Sequence, residues 1–572
     1  MSEPRRVGVY ICHCGGNISD YVDVEKVRAA VGEDADVVVA QTTMFACSDG
    51  TQKEMVEAIR EQGLDGLVVA SCSPKLHQIT FRGVAKRAGL NPYAYTQVNV
   101  REQCSWAHTD DPEGATEKAI GLVKSALEQT RRSVPLEPLV VETTPATMVV
   151  GAGVAGLRAA IGLADIGLHV YVVERAAKVG GRVAELGPMF PNGRRGDEQI
   201  AQLVADVARR PTITVFTEAE LVGKSGTFGN YTATVRVRDE IVPLQVGTFI
   251  VATGADEYQP QAGEFGYGID GVVTLAEFTA LVDKCGREQL SYDGRPVRSI
   301  AYIYCVGNRQ PGGNEYCSKF CCAATVHASL QVHAAHPSVK QYHLHRGVRT
   351  YGTFELMYAE SREGGSVYMR FPDDAPPAVA RDGERLAVTV LDPSTSPERI
   401  VLPVDLVVLV TGMAPRRNPE LTNLLKLPLG GDGFYNEIHP KLRPVETVVD
   451  GVLIAGTCQG PKTAAESVAS GLAAVTQSGG VLKKGSAELD PLVAVVNRDT
   501  CAGCDACVAS CPYDAISFIM CDGRKVAEIS PATCKGCGGC VPVCEYDAID
   551  LLGHTNEQML AAIDGLREVP VA

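Results

Sequence analysis

The chain has 572 residues, 45% of them hydrophobic, 58 glycines, 20 cysteines and a formal net charge of −15. That length exceeds what one hydrophobic core holds, so three or more α/β domains are expected, and the acidic balance argues against nucleic acid or an anionic membrane surface as partner. No apolar run approaches the roughly 18 residues of a membrane span, and the apolar start VGVYIC runs directly into HCGGNISD. A cytoplasmic protein is expected, in which so many thiols serve metal or redox chemistry rather than disulfides.

Residues 1–133 read as one unit. VGVYICHCGG is a strand entering a turn, ADVVVAQ and LDGLVVASCS are short buried strands, and GTQKEMVEAIREQ is a helix between them. Cys14, Cys47, Cys72 and Cys104 fall just past strand ends, where parallel α/β folds place their sites. EQTRRSVPLEPLVVETTPA (128–146) reads as a proline-containing polar linker.

Residues 134–489 hold the nucleotide signals. In MVVGAGVAGLRAAIGLADIGLHVYVVERAAKVGGR a buried strand leads to Gly151, Gly153 and Gly156, which complete G-x-G-x-x-G. The first glycine permits the turn, the second lets a pyrophosphate reach the backbone, and the third lets the helix pack on the strand. A second strand, HVYVV, ends at Glu174, about 20 residues on, where an acid meets ribose hydroxyls; Arg175 follows it. The fingerprint alone leaves FAD and NAD open. KVGGR (Gly180, Gly181, Arg182), then GTFIVATGAD with Gly254, then VDLVVLVTGMAPR resemble, in that order, the two-dinucleotide-domain flavoproteins of the thioredoxin reductase type, where the first fingerprint binds FAD. DGVLIAGTCQGPKTAAESVASG resembles their second FAD segment, which puts Gly456, Gln459 and Lys462 near the isoalloxazine. The nicotinamide domain of such enzymes should begin at RSIAYIYCVGNRQPGGNEYCSKFCC, but no G-x-G-x-x-G follows its strand. Cys305, Cys317, Cys321 and Cys322 stand there instead. They read as a redox-active thiol pair, as small buried hydrophobes, or as a wrap around one metal centre.

Residues 490–552 carry an internal repeat. Cys501, Cys504, Cys507 and Cys511 form C-x2-C-x2-C-x3-C-P; Cys534, Cys537, Cys540 and Cys544 repeat it with Glu545 in place of the proline. Zinc competes for such pairs, but two consecutive runs at this spacing match the bacterial two-cluster ferredoxin, in which each fourth cysteine ligates the other [4Fe–4S] cluster. Cys544 then joins Cys501, Cys504 and Cys507, and Cys511 joins Cys534, Cys537 and Cys540. Residues 553–572 read as one amphipathic helix.

VYICHCGGNI, CSPKLHQITF, GAGVAGL, YCSKFCC, LRPVETVVDGVLIAGTCQGPK and the ferredoxin repeat together resemble the heterodisulfide reductase HdrA family over essentially the whole chain. The resemblance implies an N-terminal α/β cluster domain, a thioredoxin reductase-like flavoprotein core and a C-terminal dicluster ferredoxin (α+β) domain. It implies FAD and four [4Fe–4S] clusters, the middle one on Cys305, Cys317, Cys321 and Cys322 and an N-terminal one on Cys14, Cys47, Cys72 and Cys104. Cys12 is an alternative to Cys14, and Cys285, Cys458 and Cys521 are left as free thiols. The implied activity is electron transfer with flavin-based bifurcation or confurcation. The implied partners are HdrB- and HdrC-like proteins that reduce a disulfide, ferredoxin, and an electron-donating hydrogenase, formate dehydrogenase or NADH-oxidising module, with a homodimer inside the larger complex. Two departures favour a plain relay to another reductase, acyl-CoA or folate-linked. The ferredoxin module that many members insert after the FP motif is absent from MFPNGRRGDEQ onward. His327 also stands where methanogen-type members carry a lysine that serves the flavin, so His327 is the expected catalytic group. A stand-alone flavin disulfide reductase using Cys321 and Cys322 is the third reading.

Overall fold

The structure, a computed structural model, describes residues 5–567; residues 1–4 and 568–572 of the two expected terminal domains lie outside them. It divides into two compact units, Met1–Val140 with Glu488–Ala572, and Val141–Ala487.

In the first unit a parallel sheet runs in the order Val37–Thr43, Val7–Cys12, Gly66–Ser71, Tyr95–Asn99, with Val9 opposite Val68 and Val69 opposite Gln97. All six residues of Val7–Cys12 and of Gly66–Ser71 are buried, as expected where helices cover both faces of a parallel sheet. The carboxyl ends of these strands open into the cysteine-bearing loops. The last of these is a short π-helix, Arg101–Ser105, that carries Cys104. The segment expected as a linker from 128 is helical to Arg131, because helix Pro112–Arg131 keeps its apolar face buried to Leu127 and Thr130, while Glu128 pairs with both Arg131 and Arg132. Leu139–Glu142, at its far end, is a strand. The tail forms helix Asn556–Arg567, which lies on helix Pro112–Arg131 with Gly565 against the Lys124 and Ser125 backbone. Gln558 Nε2 donates to Arg132 O at 3.1 Å.

The second unit has two five-stranded parallel sheets. One runs Ile213–Phe216, His169–Val173, Ala146–Val150, Thr248–Val251, Val452–Ile454. The other runs Val272–Thr274, Leu406–Thr411, Ser299–Val306, Lys340–His345, Val367–Arg370. The antiparallel pair Ala255–Glu257 and Met413–Pro415 lies between the strands that lead out of each sheet. This is the α/β two-dinucleotide-domain architecture expected of the core.

The second sheet buries a polar stack. His343 lies between Tyr302 and Tyr368, ring centroids 4.6 and 4.2 Å away, and shares hydrogen bonds with Tyr304 Oη (2.9 Å) and Ser329 Oγ (3.2 Å). Burial holds its imidazole down to about 3 and that of His345 down to about 4. Each folded value lies below the unfolded one, so this contribution to stability is intact above pH 6.5 and is lost as pH falls toward the folded values. We expect each histidine to cost about 1.4 kcal/mol per pH unit in that window. Urea midpoints at pH 7.5 and 5.5 check this: His343→Gln should fall less between the two than the wild type.

Candidate functional site

The dinucleotide cradle forms where strand Ala146–Val150 turns into helix Val154–Asp165. Gly151 has φ +106, and a Cβ there would lie 2.4 Å from Ala252 O; at Gly156 it would lie 1.9 Å from Gly151 O. At Gly153 nothing stands within 4 Å. The turn is closed on the protein side and open at the glycine that a pyrophosphate must approach. Gly180 and Gly181 press on it from outside: Gly180 N donates to Ala152 O at 2.7 Å, and a Cβ on Gly181 would lie 3.1 Å from Gly153 Cα. Glu174, at the end of its strand, accepts from Ala152 N (2.8 Å) and Ala176 N (2.9 Å), which holds its carboxylate at the mouth of the loop. Arg175 is exposed. Arg182 pairs with Glu257 at 2.9 Å, and Glu257 accepts from Thr411 Oγ1. These residues fit a dinucleotide laid along the first sheet.

The second flavin segment reaches the same place. Gly456 packs against Ala155, and Gly471 lets helix Ala464–Leu482 approach the Ala155 carbonyl, so this helix packs along helix Val154–Asp165. Gly254, at φ +79, comes near Thr457. Gln459 donates to Glu437 at 2.7 Å and accepts from Lys462 Nζ at 3.2 Å. Burial pushes the Lys462 ammonium down. The helix begins with a capping box, Thr463 with Glu466.

The middle thiols converge through a backbone irregularity. Strand Ser299–Val306 shifts register between Ile303 and Val306, and Cys305 takes φ +63 there, which re-aims its side chain. The turn after it is filled, since the Tyr258 ring packs directly on Gly307. Tyr316 Oη donates to Met413 O, and Ser318 Oγ accepts from Met413 N, fastening the loop that carries Cys317. Cys321 and Cys322 open helix Cys321–Ala335, whose N-terminal dipole favours thiolates. The Cys321 thiol donates to Cys322 and, with the Arg349 N–H and the charges of Arg309 and Arg349, holds Cys322 down to about 7. Burial drives Cys305 up to about 11, and the charges of Cys322 and Cys317 add to that. All four thiols therefore lie within one electrostatic neighbourhood. Arg309 reaches Cys305 Sγ at 3.9 Å, and Lys319 N donates to Cys317 Sγ at 3.3 Å.

The His327 ring makes no hydrogen bond among the described residues, and burial pushes its pKa down. Lys319 is among the charges that act on Lys462, and it pairs with Glu466. Sequence reasoning missed Lys319 and Glu466; the only signal was a basic residue inside the thiol run.

The C-terminal thiols ring two cavities. One is lined by Cys501, Cys504, Cys507 and Cys544. The other is lined by Cys511, Cys534, Cys537 and Cys540. Each cavity is lined by three cysteines of one run and the fourth of the other. Backbone N–H groups point at sulfur in repeat-related pairs: Ala515 to Cys511 and Ala548 to Cys544, Ala527 to Cys501 and Ala494 to Cys534, at 3.3 to 3.5 Å. Such bonds stabilise thiolate ligands and tune a cluster's potential. Among the described residues no three His, Cys, Asp or Glu side chains converge on a single ion.

In the N-terminal domain the thiols lie at the ends of the parallel strands. Cys12 Sγ accepts from Cys14 N (3.2 Å) and Ala46 N (3.3 Å), and the charges of Cys14 and Cys47 act on it. Cys72, pushed up to about 11 by burial, is acted on by Arg101, Glu102, Cys14 and Cys12. Cys104 is fully buried, and the charge that reaches it is the Lys118 ammonium rather than another thiol. Arg101 Nη1 donates to Cys14 Sγ at 3.6 Å. Cys12 thus lies near Cys14, Cys47 and Cys72, and Cys104 is carried on the π-helix. Of the other thiols, Cys458 donates to Val251 O and Ala455 O; Cys285 and Cys521 make only long contacts.

Comparison with known proteins agrees with this layout. Residues 145–295 match the pyridine nucleotide-disulphide oxidoreductase family, and residues 494–558 match the 4Fe-4S dicluster domain. The chain is 34% identical to the iron-sulfur A subunit of CoB–CoM heterodisulfide reductase from Methanocaldococcus jannaschii, covering 98% of each protein. It is 33% identical to the A subunit of H(2)/formate:CoB-CoM heterodisulfide,ferredoxin reductase from Methanococcus maripaludis, covering 99% of each. Among solved structures it is similar to T. acidophilum thioredoxin reductase, 16% identical, over 59% of this chain and 98% of that one, with a TM-score of 0.39.

Proposed function

The chain belongs to the HdrA family of heterodisulfide reductase components, and on that premise we propose that it divides electron pairs between a disulfide-reducing partner and a low-potential ferredoxin. It is an iron–sulfur flavoprotein, an oxidoreductase component that transfers electrons. Bound FAD exchanges electrons in pairs or singly, and each cluster exchanges one. Everything else falls to the chain: Gly151, Gly153 and Gly156 receive the pyrophosphate, Glu174 the ribose, and the Gly456–Lys462 segment the ring. Four clusters take Cys501, Cys504, Cys507 and Cys544; Cys511, Cys534, Cys537 and Cys540; Cys305, Cys317, Cys321 and Cys322; and an N-terminal set drawn from Cys12, Cys14, Cys47, Cys72 and Cys104. Electrons enter from a hydrogenase, formate dehydrogenase or NADH-oxidising module, and one branch leaves through HdrB- and HdrC-like proteins within a complex built on a homodimer.

The observation that carries this reading is the set of four thiols at the second sheet, where a nicotinamide would bind, with Tyr258 packed into the turn. A one-electron route there replaces hydride exchange. The burial of His327, which favours its uncharged form, supports the rival reading, a relay without division, because an uncharged imidazole does not stabilise reduced flavin as a lysine would. An anaerobic redox titration of the full chain, following flavin absorbance and the flavin radical by EPR, separates the two. Division of pairs predicts crossed one-electron potentials and no radical at any poise; a stable radical over a wide range would establish the relay.

A further inference from the structure

We propose that Lys319 is the fixed cation shared by the middle thiol site and the flavin, with Glu466 as the acid that offsets its charge; this rests on the flavin and cluster assignments above. Lys319 stands between Cys317 and Cys321 with φ +64, a left-handed conformation that a lysine adopts only when its surroundings impose it. That conformation turns its N–H onto Cys317 Sγ at 3.3 Å. Its side chain leaves the loop, passes 5.8 Å from the Tyr351 ring and pairs with Glu466 Oε1. The other Glu466 oxygen accepts from Thr463 N at 2.9 Å and caps helix Ala464–Leu482, whose first turn follows the segment assigned to the flavin ring. One side chain therefore touches the cluster loop and the start of the flavin-facing helix.

Stability does not account for this arrangement. Both side chains are about a third or more exposed, and pairs of that kind add little to folding. Charge does account for it. A reduced flavin and a reduced cluster each carry one more negative charge than the oxidised form, and a nearby cation favours the reduced form. Lys462 is another ammonium in the neighbourhood, and it is half-buried with Gln459 as its partner.

The test uses opposite signs. Lys319→Met removes a positive charge and lowers the midpoint potentials of both the flavin and the middle cluster; Lys319→Arg keeps them. Glu466→Gln retains the cap, since glutamine serves in a capping box, but frees the lysine charge and raises both potentials. A purely structural tie predicts the same direction for both substitutions, because both break one ion pair. Spectroelectrochemical titration of full-length protein with measured FAD and iron reads the result. Opposite shifts establish the role of Lys319; shifts of one sign, or none with FAD and iron retained, overturn it. If Lys319→Met loses iron, Glu466→Gln decides alone: a potential that falls or stays put rejects the proposal. Wild-type protein that takes up no FAD would overturn the flavin assignment itself.

Discussion

Gly156→Ala protein is expected to purify with less than about a tenth of the wild-type FAD while keeping the iron of its C-terminal clusters. The new methyl would stand 1.9 Å from Gly151 O, a backbone atom on the turn that must receive the pyrophosphate. Relief requires the helix to move off the strand or the turn to open, and overpacking of this kind costs on the order of 1–3 kcal/mol or more. The C-terminal cysteines belong to the other compact unit, so their loading does not depend on this turn. Gly153→Ala separates folding from binding. Its φ is −79, and nothing lies within 4 Å of a Cβ there, so alanine should fit without strain. Its thermal unfolding should match the wild type, while FAD affinity falls because the methyl occupies the path of the phosphates. Flavin-to-protein absorbance ratios and melting curves of the two variants check both statements. Equal FAD retention in all three proteins would show that this turn does not carry the nucleotide.

Cys317→Ser is expected to drop the iron content from about sixteen to about twelve per chain, counting four per cubane, and to stop electron exchange between FAD and the partner at the second sheet. Cys317 is only partly buried, so serine is sterically harmless. The substitution leaves the hydrogen-bonded pair Cys321 and Cys322 intact. A flavin disulfide reductase working through that pair would keep its iron content and its thiol chemistry in this variant. Iron analysis with anaerobic stopped-flow of flavin reoxidation tells the two apart.

Much of this protein is legible in the chain alone. The α/β class, the flavoprotein core and the dicluster module follow from local spacing, because a turn that admits a phosphate or a loop that wraps a cubane is built by residues close together in the chain. The pairing of Cys544 with the first thiol run and Cys511 with the second belongs to the same pattern. The interchange is visible again in the two cavities and in the matching N–H to sulfur bonds from Ala515 and Ala548. The helical character of residues 128–131 is hidden by their polarity, since it depends on a buried face shared with the preceding turns and on ion pairs along the helix.

Tertiary structure alone decided the rest. The closeness of Cys12 to Cys14, Cys47 and Cys72 depends on where strand ends place their loops, which spacing along the chain does not report. The gathering of Cys305 with Cys317, Cys321 and Cys322 needs a bulge and a left-handed residue that no motif announces. The pairing of Lys319 with Glu466 joins residues 147 positions apart. Charges act through space, so the cation that serves a redox centre is chosen by the packing of helices and loops, whereas the C-terminal thiols are grouped by the chain's own spacing.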